Sequence, residues 1–187
     1  RVLFESSLKG LSAWRRVVDN RVYEIQQKNN IEIYRESELS LSHINDLGVN
    51  NIFIATGSSW RSDGIGRNQR KGITGLENIK VLTPTDAIRN QSSIEEPIVI
   101  YDDEQGYLAG VIADHMSAQS RAITFVTPAS VVSPWTESTL EQKRVQKALL
   151  NQAVKIIPNK IISHASGDNI EARCLYTNEA TEIACKT

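Results

Sequence analysis

Apolar residues change their spacing repeatedly along this chain, and the changes predict its elements. Leu11, Trp14, Val18, Val22 and Ile25 recur at helical intervals and predict an amphipathic helix over 11–28. Ser12 can cap its first turn, and Asn29-Asn30 ends it. Ile31-Glu32-Ile33-Tyr34 reads as a short strand, and 40–47 as a short helix closed by Gly48. The run Ile52-Phe53-Ile54 then predicts a buried strand over 51–55. Residues 57–80 are rich in glycine and polar side chains and predict a loop. Thr83-Pro84 places a cap and a first-turn proline at the start of a helix.

After a polar stretch over 90–96, Pro97 opens a second pattern, and this is the best domain boundary. Ile98–Tyr101 predicts a strand, 107–120 a helix with Leu108, Val111, Ile112 and Met116 on one face, and 122–127 another strand. A helix over 136–151 follows, with capping hydroxyls at Thr136, Ser138 and Thr139. Strands over 154–157, 160–164 and 170–176 complete the pattern. The alternation implies an α/β fold: a Rossmann-like parallel sheet finished by antiparallel strands, beside a partial second module.

Composition narrows the functions. A net charge of −1 and 40% hydrophobic residues describe an ordinary soluble protein. No basic stripe interleaves with aromatics, which argues against a nucleic-acid partner. The longest apolar runs are strand-sized, which argues against a membrane span. Cys174 and Cys185 lack metal-ligand or redox-motif spacing and read as free thiols in a reducing, cytoplasmic setting. They cannot by themselves build a four-cysteine cluster. His43, His115 and His164 fall in different elements and form no metal pattern. The chain opens Arg-Val-Leu-Phe without an initiator Met or a signal-peptide pattern, which suggests an excised fragment.

The candidate chemistry lies in 53–67. A glycine directly after an apolar strand lets backbone approach a ligand that a Cβ would push away. Ala55 and Thr56 keep that approach open before Gly57, and Trp60 and Arg61 follow in the loop. Ala55, Thr56, Gly57, Trp60 and Arg61 are therefore the candidate cofactor-binding residues. Arg61 and Arg67 bracket Asp63, either to meet phosphates or to tie the loop internally. Trp60 can stack on a ring or serve as a packing residue.

Strand-Ala-Thr-Gly followed by Ser58-Ser59-Trp60-Arg61-Ser62-Asp63-Gly64-Ile65-Gly66-Arg67 resembles the trimethylamine dehydrogenase, histamine dehydrogenase and N-methyl amino acid demethylase group of FMN and iron–sulfur flavoproteins. The resemblance extends to Val81-Leu82-Thr83-Pro84, Tyr101-Asp102-Asp103, Tyr107-Leu108-Ala109-Gly110, Val126-Thr127-Pro128 and Ser133-Pro134-Trp135-Thr136-Glu137. It implies a parent enzyme with an N-terminal TIM barrel carrying FMN and a 4Fe-4S cluster, followed by two dinucleotide-domain-like modules, one nested in the other. On that reading 1–92 is a partial ADP- or FAD-binding module lacking its Gly-rich βαβ start, and 93–187 is the nested NAD-binding-like module. Gly57 is then one wall of a nucleotide site whose other wall is a Gly-rich turn. The partners implied are the rest of the polypeptide, its TIM barrel included, and an electron-transferring flavoprotein.

The nested module departs from a dinucleotide site. Its first strand leads into Asp102-Asp103-Glu104-Gln105-Gly106-Tyr107 where a Gly-x-Gly-x-x-Gly turn is needed. Two like charges about 4 Å apart repel by roughly 4 kcal/mol at an effective dielectric near 20. A helix N-terminus offers only about 0.3–1 kcal/mol in return. The expectation is a structural relic without NAD, and a chain with no catalytic residue, no metal site and no cofactor of its own. The alternatives are part of a 2,4-dienoyl-CoA-reductase-like, NAD(P)H-dependent flavoenzyme, or a non-catalytic nucleotide-binding module.

Overall fold

The computed structural model describes residues 1–90 and 93–187. Gln91 and Ser92, inside the expected linker over 90–96, lie outside the described residues. The chain separates into two compact units, Arg1–Arg15 with Trp60–Thr187, and Arg16–Ser59.

A short helix α1 (Val2–Glu5) and a 3-10 turn (Ser12–Trp14) lead into α2 (Arg15–Gln26), and α3 (Leu41–Asp46) follows. The helical spacing over 11–28 is thus real, but Ser12 does not cap it: no side chain caps the 3-10 turn that opens it. α3 begins at Ser40, whose hydroxyl accepts from the His43 amide, and it closes towards Gly48 at φ +60°.

Two expected strands do not form. Residues 31–34 and 51–55 have no strand pairing, and Phe53 and Ile54 are 94% and 84% exposed. A strand is stable only within a ladder and against a core, and among the described residues no segment pairs with either one. The same holds for the apolar face of α2. Trp14 and Val22 are exposed, and no residue of 16–59 is buried.

The larger unit carries the core. α4 (Pro84–Arg89) starts with Pro at its first position and a reciprocal cap between Thr83 and Asp86. Strand β1 (Ile98–Tyr101), helix α5 (Leu108–Ser117) and strand β2 (Ile123–Val126) form a βαβ unit. A 3-10 turn (Pro134–Glu137), helix α6 (Gln142–Asn151) and strand β3 (Lys155–Ile157) extend it. The three strands are parallel in the order β1-β2-β3, with Ile98 beside Ile123 and Phe125 beside Ile156. Strands β4 (Lys160–Ser166), β5 (Asn169–Cys174) and β6 (Ala180–Ala184) make a separate antiparallel sheet.

The expected single helix over 136–151 is broken in two. Leu140 sits at φ +61°, outside right-handed helix geometry, and the Thr136 hydroxyl donates back to the Ser133 carbonyl instead of capping a helix. β6 was absent from the sequence pattern because Ala180-Thr181-Glu182-Ile183-Ala184 buries only Ile183.

Strand alternation divides the core in two. Ile98, Ile100, Ile123 and Phe125 face a cluster with Leu108, Val111, Ile112 and Leu149 of α5 and α6. Val99, Tyr101 and Val126 face the other way, against Ile162, Ala165, Ile170, Ala172 and Ile183 of the antiparallel sheet. The parallel sheet is therefore covered on both sides, as its continuous apolar strands require. α5 and α6 approach closely at Gly110, where an added Cβ would lie 2.6 Å from Ser133 Oγ and 2.7 Å from Val145 Cγ1. Among the described residues no helix is long and apolar enough to cross a membrane. Cys174 and Cys185 are both free thiols.

Candidate functional site

The five candidate cofactor residues fall in both units. Ala55, Thr56 and Gly57 belong to the unit without a core, and all three are exposed. Gly57 adopts φ +78°, and an added Cβ there would meet nothing within 4 Å. Its glycine suits the backbone conformation.

Trp60 and Arg61 belong to the larger unit. Trp60 is partly buried against the helix-side core, and the Arg1 guanidinium lies over its ring at 4.9 Å. It is occupied as a packing residue. Arg61 makes a two-point contact with Asp63, with Nε donating to Oδ1 at 3.0 Å and Nη2 donating to Oδ2. The Asp63 carboxylate also accepts from the Ile65 amide, and Arg61 first, then this amide, hold it below its ordinary range. Arg67 does not share Asp63; its guanidinium lies over the Trp135 ring at 4.6 Å. The loop is thus tied internally, with Ile73 N donating to Asp63 O and Gly66 N to Gln69 O.

The turn between β1 and α5 is where a dinucleotide-binding module would receive a pyrophosphate. Here that turn carries acidic side chains. Asp102 is 2% exposed, and its Oδ1 accepts from the Gln105 amide at 2.8 Å. Asp103 accepts from the Asn68 amide through both carboxylate oxygens, at 3.2 and 3.1 Å. Gly66 lies directly over Asp103, so close that an added Cβ would collide with the carboxylate. Glu104 flanks Gly106, with its carboxylate carbon 3.5 Å from where a Cβ would stand. Tyr107 opens α5 without a capping side chain, and its hydroxyl donates to Glu5 Oε2 at 2.5 Å. Carboxylates thus line the start of α5, where their like charge would oppose a pyrophosphate.

Residues 82–184 match the family model of the OYE-like second alpha/beta domain. The chain belongs to this family. Across its full length it is similar to the solved structure of histamine dehydrogenase from Rhizobium sp. 4-9, with 35% identity and a TM-score of 0.88, covering 100% of this chain and 29% of that one. It is similar in the same way to 6-hydroxypseudooxynicotine amine oxidase from Pseudomonas geniculata N1, with 31% identity, a TM-score of 0.87 and 28% of that chain covered. Dimethylamine dehydrogenase from Hyphomicrobium sp. (strain x) is 21% identical over 173 residues, 89% of this chain and 23% of that protein. The resemblance to the trimethylamine-dehydrogenase-like group is thereby shown, and the chain spans less than a third of each of these relatives.

In this OYE-like domain, sequence reasoning missed the residues that close the β1–α5 turn from outside. Glu5 is buried, and Arg1 Nε donates to its Oε1 at 2.5 Å while Tyr107 donates to Oε2. Burial alone would raise the Glu5 carboxyl, but the Tyr107 hydroxyl and the Arg1 guanidinium together hold it below its ordinary value. Tyr107 is pushed up to about 12, by burial first and then by Glu5. Phe4, one residue earlier, carries the Arg89 guanidinium over its ring at 3.9 Å. No local signal could have found the pairing of Glu5 with Tyr107, which are 102 residues apart. His164 Nδ1 lies 2.7 Å from Thr74 Oγ1, and among the described residues no group of three or more His, Cys, Asp or Glu is placed to hold a metal ion.

Proposed function

We propose that this chain is the dinucleotide-domain region of a larger FMN and iron–sulfur amine dehydrogenase, and that its own role is architectural and catalytically silent. The observation carrying this reading is the full-length similarity to histamine dehydrogenase, which covers the whole chain and only 29% of that enzyme. On this reading 1–92 is the partial ADP- or FAD-binding-like module and 93–187 the nested, degenerate NAD-binding-like one. The parent enzyme would oxidise a C–N bond, with electrons leaving through FMN and a 4Fe-4S cluster to an electron-transferring flavoprotein or another acceptor. Those groups belong to the TIM barrel, and no residue of this chain is assigned to hold them.

Two places in the chain bear on an adenine dinucleotide. At Gly57 the residues fit in part. Ala55, Thr56 and Gly57 would line one side of an ADP or FAD pyrophosphate, and the positive φ of Gly57 suits close backbone approach. Trp60 and Arg61 are engaged with Arg1 and Asp63, so their part in binding requires those contacts to exchange. At the β1–α5 turn the residues do not fit NAD, because Asp102, Asp103 and Glu104 take the place of a phosphate cradle.

Calorimetric titration of the chain with ADP, FAD, NADH and NADPH tests the proposal. Binding weaker than about 1 mM, worth less than about 4 kcal/mol, is expected for all four. Micromolar NADH or NADPH binding would overturn the account of the β1–α5 turn. Micromolar ADP binding would show Gly57 and its neighbours to be a sufficient site. Oxidation of histamine or dimethylamine by the chain alone would overturn its catalytic silence.

A further inference from the structure

The β1–α5 turn holds a feature that packing alone does not require. Asp102 is almost wholly buried, yet its Oδ2 has no hydrogen-bond partner. Its other oxygen holds the Gln105 amide, and Gln105 is a non-glycine residue at φ +64°. The Gln105 carbonyl in turn accepts from the Trp135 amide, and Ser133, also at positive φ, has a buried hydroxyl without a partner. Asp103 of the same turn carries the Asn68 amide. One buried carboxyl therefore organises a turn on which two other segments rest, 66–69 and 133–137. An unpartnered buried oxygen is tolerated far better on a neutral acid than on a carboxylate.

We propose that the turn over 102–107 is a proton-operated latch: it is closed when Asp102 is protonated, and loss of that proton favours opening of the turn and release of the segments resting on it. The groups acting on Asp102 support this. On its own turn it meets Glu104 and Asp103, both acidic, and on β1 it meets Tyr101, whose hydroxyl donates to Asp103 Oδ1 at 3.3 Å. The facing segment over 127–133 contains no titratable side chain. The facing loop over 66–69 contains one, Arg67, and its guanidinium is placed over Trp135. Arg1 acts on Glu104 and Tyr107 of the turn, and among the described residues the groups acting on Asp102 include no cation. Burial first, then Glu104 and Asp103, push the Asp102 carboxyl up to about 7, against the opposing pull of the Gln105 amide.

The sign follows from proton linkage. In the opened turn the carboxyl titrates near its ordinary value of about 3.9, so the closed form binds more protons between that value and about 7. Raising the pH through this window opens the latch, and above it the effect levels off. Native-state hydrogen exchange on the full chain reads this directly at the Gln105 amide. After correction for intrinsic exchange, its protection should fall about tenfold between pH 5 and pH 6 and become flat above about pH 7. Asp102→Asn should abolish this pH dependence. Glu104→Gln, on the surface of the turn, should shift the levelling point to lower pH while keeping the fold. The fluorescence of Trp135, read against Trp135→Phe, should follow the same titration. Protection of the Gln105 amide that stays constant from pH 5 to pH 7 in the unmodified chain overturns the proposal. So does a levelling point that Glu104→Gln leaves in place.

Discussion

Residues 16–59 and the unit formed by Arg1–Arg15 and Trp60–Thr187 have similar apolar patterns and opposite outcomes. In the larger unit every strand has a partner, and Phe125, Leu149 and Val126 are fully buried. In 16–59 the apolar run Ile52-Phe53-Ile54 stays unpaired and exposed. The difference is a matter of partners, not of composition. A central parallel strand needs neighbours on both edges and cover on both faces, and β2 has all four. Phe53 and Ile54 are both exposed, and among the described residues no strand pairs with 51–55.

The sharpest test of this contrast is a pair of aromatic truncations. Phe125→Ala should cost about 3–5 kcal/mol in chemical denaturation, whereas Phe53→Ala should change stability by less than about 0.5 kcal/mol. Equal losses would show that 51–55 is packed in solution. A pair of glycines gives the next effect. Gly110→Ala must displace both Ser133 and Val145 and should cost about 1–3 kcal/mol, read as a lower midpoint with unchanged slope. Gly57→Ala faces open space and carries only the left-handed backbone cost of about 1–2 kcal/mol. Because 51–59 contributes no core, that cost should fall on local exchange rates and leave the midpoint alone.

Smaller still is the contact that ties the first helix to the β1–α5 turn. Tyr107→Phe should cost about 1–2 kcal/mol at pH 7. Glu5 is held below its ordinary value in the folded chain, so its contribution is complete above the unfolded value of about 4.3 and is lost as pH falls through the folded one. The penalty of Tyr107→Phe should therefore shrink at pH 3 in thermal unfolding. The smallest effect is at the loop tie: Arg61→Ala frees Asp63, whose carboxyl should then titrate closer to its ordinary value by NMR, with little change in the midpoint.

Much of the fold was legible because its signals are local. The Thr83-Pro84 start of α4, the closing of α3 towards Gly48 and the alternation of β1, α5 and β2 each follow from residues within a few positions of one another. Failures came where a local signal competed with distant geometry. Thr136 looks like a helix cap, but its hydroxyl is taken by Ser133, and Leu140 turns the chain before α6 begins. β6 is too polar to announce itself and exists because β5 offers it an edge. The candidate site was legible only as a motif. Gly57 has the backbone conformation its position suggested, while the occupation of Trp60 by Arg1 and of Arg61 by Asp63 depends on neighbours outside the strand-Gly pattern.

The sequence by itself determined the α/β class, the family resemblance and the run of acids Asp102-Asp103-Glu104 after β1, because periodicity, motif spacing and charge are properties of neighbouring residues. Only the tertiary structure decided what those acids do. It buried Asp102 under its own turn, set Asp103 against Asn68, and brought Glu5 across 102 positions to Tyr107. Burial and long-range pairing fix the chemistry of a carboxyl, and neither is written in the residues beside it.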